Sequence, residues 1–210
     1  MLADELFLIA WDTTSSGKPR LHVQGVALGL AGALLAELVL HSRVAVQGAT
    51  IRVADRRPVG ETVADAVLAD MAGSPQHTDV RTWLAYLAQR SITDVAGRMI
   101  AAGRLEREAP RLIKRKVSRY YAPDFGQAMW PRTRLNMALV RWQPLAAEDM
   151  ALAVLVDSCG MTDVVVDDPA ERKIARRYLT TVLAALPQPL ADLGRHVSAA
   201  VGDAVLTYRS

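Results

Sequence analysis

LHVQGVALGLAGALLAELVL, residues 21–40, decides the fold. From Gly25 to Ala36 it holds nothing more polar than glycine. A bilayer-spanning helix needs about 20 mostly apolar residues, whereas a run of roughly 10–14 is more often a buried core helix. Here twelve residues precede Glu37, with His22 and Gln24 just before and Arg43 soon after. Gly25, Gly29 and Gly32 are spaced by four and three, so they share one helix face. Glycine in a helix costs up to about 1 kcal/mol relative to alanine. Three on one face therefore point to close approach of another backbone. The run reads as a central core helix over about 23–40.

On its N-terminal side, MLADELFLIAW (1–11) has Leu2, Leu6 and Ile9 at helical spacing, and Asp4 and Glu5 where the helix dipole favours acids. DTTSSGKP (12–19) is a turn-rich loop. On its C-terminal side the period changes to two. Val44 and Val46 alternate, Gln47-Gly48 offers a turn, and Ile51 and Val53 alternate again, which is a β-hairpin pattern over about 43–54. Helical spacing returns at 61–73. Another helix follows a cap at Thr78 or Asp79, and a third spans 93–105 with Gly103 as its C′ residue. EREAPRLIKRKVSRYYAPD (106–124) is β-branched, aromatic and basic in its middle, so a second hairpin or extended arm is expected at about 111–121. PDFGQAMWP (123–131) reads as a loop. Helices follow at about 131–142, 145–161, 168–186 and 188–207, the third opening on Asp168 as cap and Pro169 at its first position. The expectation is a mainly α fold of seven or eight helices, one domain over 1–210 packed around the hydrophobic helix, with two small β-hairpins.

Composition agrees. The 210 residues are 51% apolar and 22% charged, normal values for a globular protein, and only two phenylalanines occur. The net charge of +3 and pI near 9.2 are mildly basic. Cys159 is the only cysteine, so no internal disulfide forms and a reducing, cytoplasmic interior is expected. The N-terminus lacks the positive region of a signal peptide.

Catalytic signals are weak. His22, His41, His77 and His196 are scattered, with no second ligand at metal spacing. Cys159 lies in an apolar helix without an activating neighbour, as a buried hydrophobe does. GLAG (29–32) sits mid-helix, so it is not a phosphate loop. Asp157 and Asp163, six residues apart, do not share a helix face and read as capping and solvated acids. No enzyme, cofactor or metal is expected.

Charge carries more. Arg104 to Arg119 holds seven Lys/Arg and two Glu. Lys114, Arg115 and Lys116 are consecutive, Arg119 and two tyrosines follow, and Trp130 is close behind. Basic residues beside aromatics suit an anionic surface, lipid headgroup or nucleic-acid phosphate. The bland alternative is a hairpin kept soluble by charge. Arg172, Lys173, Arg176 and Arg177 form a second basic group, read as a solvated helix face. Trp11, Trp83 and Trp142 are expected in the core.

The order of elements resembles the Golgi phosphoprotein 3 family, in particular bacterial (actinobacterial) Golgi phosphoprotein-like proteins. LADELFLIAWDTTSSGKPRL and GLAGALLAELVLHSRVAV look like its opening, with Gly29, Leu30, Gly32, Leu35, Glu37, Leu38 and Arg43 on its core-helix pattern. VAGRMIAAGRLERE (95–108) and MALAVLVDSCGMTDVV (150–165) are similar to later segments. The resemblance implies a helical fold around one apolar helix. It also implies peripheral membrane proteins that bind phosphatidylinositol 4-phosphate and protein clients, with a hairpin that contributes to oligomerisation. Its headgroup residues are a tryptophan, a core-helix arginine and two later arginines. They fall near His22, on Ala31, and near Gln89 and Ile92, so none is retained, while Arg90 and Arg98 lie close to the later pair.

The resulting expectation is non-catalytic binding to an anionic lipid headgroup at the inner membrane face. His22, Arg90, Arg98, Lys114, Arg115, Lys116 and Arg119 supply polar or cationic groups and Trp130 an interfacial aromatic. A protein-interaction scaffold forming homo-oligomers through the second hairpin is the alternative. Winged-helix-like nucleic-acid binding is disfavoured: the helix before VAVQGATIRVAD is the apolar one and cannot serve as an exposed recognition helix.

Overall fold

The computed structural model describes residues 1–108 and 118–207. Among them ten helices and two antiparallel two-stranded sheets occur. α1 (Leu2–Ala10) leads to α2 (Val23–Leu40), then the hairpin β1 (Val44–Gln47) and β2 (Thr50–Val53). α3 (Thr62–Gly73), α4 (Val80–Ala88) and α5 (Ser91–Ala101) precede β3 (Glu106–Arg107) and β4 (Tyr120–Tyr121). α6 (Phe125–Val140), α7 (Ala147–Ser158), the single turn α8 (Thr162–Val165), α9 (Pro169–Ala185) and α10 (Gln188–Thr207) complete the chain.

α2 is the axis of the core. It is apolar all round, and α1, α3, α4, α5, α7 and α10 pack on it. It is long and apolar enough to cross a membrane by composition, yet 78% of it is buried inside the protein. A helix with no polar face needs cover on every side, and the ring of helices supplies it. Two glycines set the spacing of that ring. A Cβ at Gly29 would lie 2.6 Å from the Cys159 Sγ, and one at Gly32 would lie 2.5 Å from Val197 Cγ2. Both distances are shorter than any real Cβ contact. Gly29 thus lets Cys159, at the end of α7, approach the axis, and Gly32 does the same for α10.

Side-chain caps fix five of the ten described helix starts. Asp79 accepts from the Thr82 amide at 2.8 Å, Asp168 from Ala170 at 2.8 Å, and Glu61 from Val63 and Ala64 at 3.0 and 2.7 Å. Each satisfies a donor that the helix cannot pair internally. Gly103 has φ +69° just after α5, the left-handed C′ geometry expected for it. In the first hairpin Val44 and Val46 pair with Val53 and Ile51 and turn inward. Its tip is held by α10: the Gly48 amide donates to Asp192 at 2.6 Å, and its carbonyl meets His196 Nε2 at 3.0 Å.

The structure corrects three expectations. Residues 125–131 are helix, not loop. Asp124 caps α6 by accepting from the Gln127 amide at 3.0 Å, and the helix runs through Pro131. That proline costs one hydrogen bond to the Gln127 carbonyl, but it is buried with Ala128 and Leu135 in the face that packs inward. Trp142 is not core. It is 49% exposed, at φ +53° just past α6, and stacks on Tyr178 of α9 at 5.2 Å. The seven or eight helices become ten in the described residues, partly because the stretch after Cys159 forms its own turn, α8.

Candidate functional site

The base of the second hairpin is built on aromatic packing. β3 and β4 pair Glu106 with Tyr121 and Arg107 with Tyr120. Tyr120 is buried, edge-on to Phe7 and Trp11 at 5.6 and 5.3 Å, while Phe7 and Trp11 stack on each other. Trp11 Nε1 donates to the Gly17 carbonyl at 2.7 Å, and that carbonyl also accepts from the Tyr120 amide at 3.1 Å. The arm is thereby anchored to α1 and the loop after it. Lys114, Arg115 and Lys116 lie outside the described residues, between two anchored strands. Arg119 is half-buried with its Nε 3.7 Å from Glu108.

Beyond β4 the chain enters α6, whose first two turns carry two exposed aromatic side chains. Phe125 is 67% exposed and Trp130 53%. Met129, one helical turn after Phe125, is half-buried between them in sequence. Sequence reasoning found Trp130 but not Phe125, because the segment read as a loop has no face. The Asp124 cap was the available signal.

The other expected residues divide. His22 is exposed and caps α2, its Nδ1 accepting from the Gln24 amide at 3.3 Å. Ser91 Oγ donates to the Ala27 carbonyl at 2.8 Å and fixes the start of α5 on α2. The α2 and α5 N-termini are thereby neighbours. Ala31, however, is fully buried. Arg90 pairs with Asp70 and, at 3.5 Å, with Asp94, and its guanidinium lies 5.6 Å above the Tyr86 ring. A cleft of about 400 Å³ beside it, between α3 and α4, is lined by Asp70, Ser74, His77, Trp83 and Tyr86.

Arg98 is a strut, not a surface group. Its side chain is 11% exposed and is held between Asp4 of α1 and Glu61, the cap of α3. Arg104 joins Asp4 at 2.6 Å. Burial pushes the Glu61 carboxyl up, but the Arg98 hydrogen bond and the Val63 and Ala64 amides outweigh it and hold it below the usual range. Glu37 of α2 faces the same cluster. Burial, with the charges of Glu61 and Asp4, pushes its carboxyl up. Its Oε2 has no hydrogen-bond partner among the described residues.

Cys159 and the acids singled out in the sequence are structurally engaged. Cys159 is buried, and burial pushes its thiol up to about 12, so little thiolate forms at neutral pH. Asp157 accepts from Thr162 Oγ1 at 3.2 Å, and Asp163 pairs with Arg172 and Arg176, so both are local structural acids.

One family model covers nearly the whole chain. That model, Golgi phosphoprotein 3 (GPP34), matches residues 2–207. The chain belongs to this family. Among curated proteins none matches it. Within the Golgi phosphoprotein 3 family this member has Ala31 buried on its core helix, and its Arg98 is committed to Asp4 and Glu61.

Proposed function

We propose that the protein is a non-catalytic peripheral membrane protein that attaches to an anionic lipid surface on the cytoplasmic side. One observation carries the reading: two exposed aromatic side chains, Phe125 and Trp130, lie in the first two turns of α6, directly after the strand that closes the basic arm. Aromatic rings settle at the headgroup level of a bilayer. Lys and Arg near an anionic leaflet contribute about 1 kcal/mol each. Of the seven cations in 104–119, Arg104 is turned onto Asp4, Arg119 sits beside Glu108 and Arg107 is exposed, while Arg111, Lys114, Arg115 and Lys116 lie outside the described residues and enter this reading by their charge in the sequence.

Selectivity for phosphatidylinositol 4-phosphate has less support. Bidentate arginines are what hold a phosphate in a fixed geometry. Around the α2–α5 junction the nearest, Arg90, is shared by two aspartates. Binding is therefore expected to follow charge rather than headgroup identity. Co-sedimentation with vesicles of phosphatidylinositol 4-phosphate, phosphatidylserine at matched charge, or phosphatidylcholine, at low and physiological salt, tests this. Equal binding to the two anionic vesicles that fades with salt is expected. Binding confined to the phosphoinositide would replace the charge reading with a pocket, and no binding at all would end both.

A second reading, a scaffold that assembles through the arm, rests on the short β3–β4 ladder: the β4 edge is closed by the loop after α1, whose Gly17 and Thr13 carbonyls accept from the Tyr120 and Ala122 amides, so another strand would add at the β3 edge. Deleting residues 109–117 spares buried Tyr120. It should lower the mass in light scattering if the arm joins chains. An unchanged mass would remove this reading.

A further inference from the structure

A second cationic surface lies on α9, away from the arm. Lys173 and Arg177 are one helical turn apart and exposed, and no acid pairs with either among the described residues. Arg172 and Arg176 flank them and share Asp163, at 3.2 and 3.0 Å. Asp163 engages two of the four cations, and Lys173 and Arg177 leave the outer face of α9 positive. Glu171 lies on the far side of the helix from Lys173 at this spacing. A shallow groove of about 420 Å³ runs between these side chains and Thr180.

Apolar groups border the charge. Ile174 is 44% exposed, one turn before Tyr178 on α9, and Tyr178 carries Trp142 stacked on its ring. The Tyr178 hydroxyl donates to the Gln143 carbonyl at 2.6 Å, which holds the pair in place. Arg141 is exposed beside Trp142. Arg132 of α6 meets Asp167 just before α9, and Gln143 just after α6 meets Tyr178 of α9, eleven residues further on in both segments, so α6 and α9 run parallel. Trp130 and Trp142 are separated by roughly 18 Å along the direction of α6.

We infer that the outer face of α9, with Trp142, is a second contact for the same anionic bilayer, in which Lys173 and Arg177 meet headgroup phosphates and Ile174 and Trp142 enter the interface. Nucleic acid fits less well. One face of Trp142 is already covered by Tyr178, and Ile174 offers no platform for base stacking. The inference rests on the membrane reading above, but on different residues.

The test uses the full chain. Because Cys159 is buried and its thiol is pushed up to about 12, an engineered surface thiol can be labelled alone. Ile174→Cys and, separately, Phe125→Cys carry an environment-sensitive fluorophore and are mixed with phosphatidylserine–phosphatidylcholine or phosphatidylcholine vesicles. The 174 label should shift to the blue with the anionic vesicles only. K173Q/R177Q, whose parent side chains have no described partner to lose, should melt like the parent and lower the partition coefficient about twenty-five-fold, from about five-fold per cation. Sedimentation with a shift at 125 but none at 174 would overturn this inference and leave the arm and α6 as the whole contact. A shift at 174 alone would keep the α9 surface and sink the α6 one. No sedimentation would sink both. Retention on duplex DNA that K173Q/R177Q abolishes, without vesicle binding, would overturn the lipid assignment.

Discussion

Arg98 and Arg177 are chemically the same residue in opposite circumstances. Arg98 joins α1, α5 and the start of α3 through two carboxylates and is nearly enclosed. Arg177 stands exposed on α9 with no described partner. Arg134 resembles the first, bridging Glu5 and Asp149 at 2.7 and 2.6 Å and so joining α1, α6 and α7. A buried charge is kept because removing its partner strands it. An exposed charge without a partner contributes little to folding and is free to meet something else. In this chain nearness to a family motif is therefore a poor guide to a binding arginine. Partner and burial decide.

That contrast can be broken at several points. The largest effect is expected from Arg98→Met, which leaves Asp4 and Glu61 buried with one cation fewer. A loss of about 3–5 kcal/mol is the usual scale for breaking a buried pair, read by urea unfolding. A loss no larger than a surface substitution gives would make Arg98 a surface group after all. Next is Gly32→Ala, whose new methyl meets Val197; overpacking of this kind costs about 1–3 kcal/mol. Preserved stability would show that α10 can move off the axis. Phe125→Ser with Trp130→Ser should shift stability by less than about 0.5 kcal/mol, as exposed substitutions do, while vesicle partitioning falls clearly. A drop in melting temperature with unchanged partitioning would make them core residues instead.

The smallest effect is the most diagnostic of the cluster. In the folded protein Glu37 holds its proton to higher pH than in the unfolded chain. The folded state therefore binds more protons in the window above the ordinary carboxylate range, and this group's contribution to stability falls as pH rises through that window. Glu61 has the opposite sign: its depressed carboxyl contributes stability that is lost as pH falls through its folded value. Glu37→Gln should therefore be more stable than the parent at neutral pH, with the difference shrinking on acidification. A difference that grows in acid would mean Glu37 is held as a carboxylate. The comparison is best made between variant and parent, so that Glu61 and Asp4 titrate in both.

Much of the fold was legible because its signals were local. The α2 run has no competing period, and Asp79, Asp168 and Gly103 mark ends by chemistry that needs no tertiary context. Pro131 misled because its cost is local while the burial that offsets it is not. Trp142 misled for the complementary reason: its partner, Tyr178, is 36 residues away. The site was less legible still. Arg98 could have been flagged from the other side, since Asp4 lies in a helix whose neighbours are nearly all apolar, and a buried acid there requires a cation from elsewhere. Phe125 was hidden with the first turns of α6. The free cations of α9 look in sequence no different from Arg172 and Arg176, because only the fold brings Asp163 to two of the four.

The wrapping of α2 also has a consequence for biosynthesis. The helix is complete at Leu40, but its last cover, α10, begins only at Gln188. At translation rates of about 5–20 residues per second, a ribosome takes roughly 7–30 seconds to make the intervening chain. Throughout that interval the nascent polypeptide displays a segment that by length and hydropathy could be taken for a membrane anchor. Glu37, His41 and Arg43 at its trailing end are the polar features that mark it otherwise. The vulnerable moment for this protein is its own synthesis, before the helices that bury most of α2 have been made.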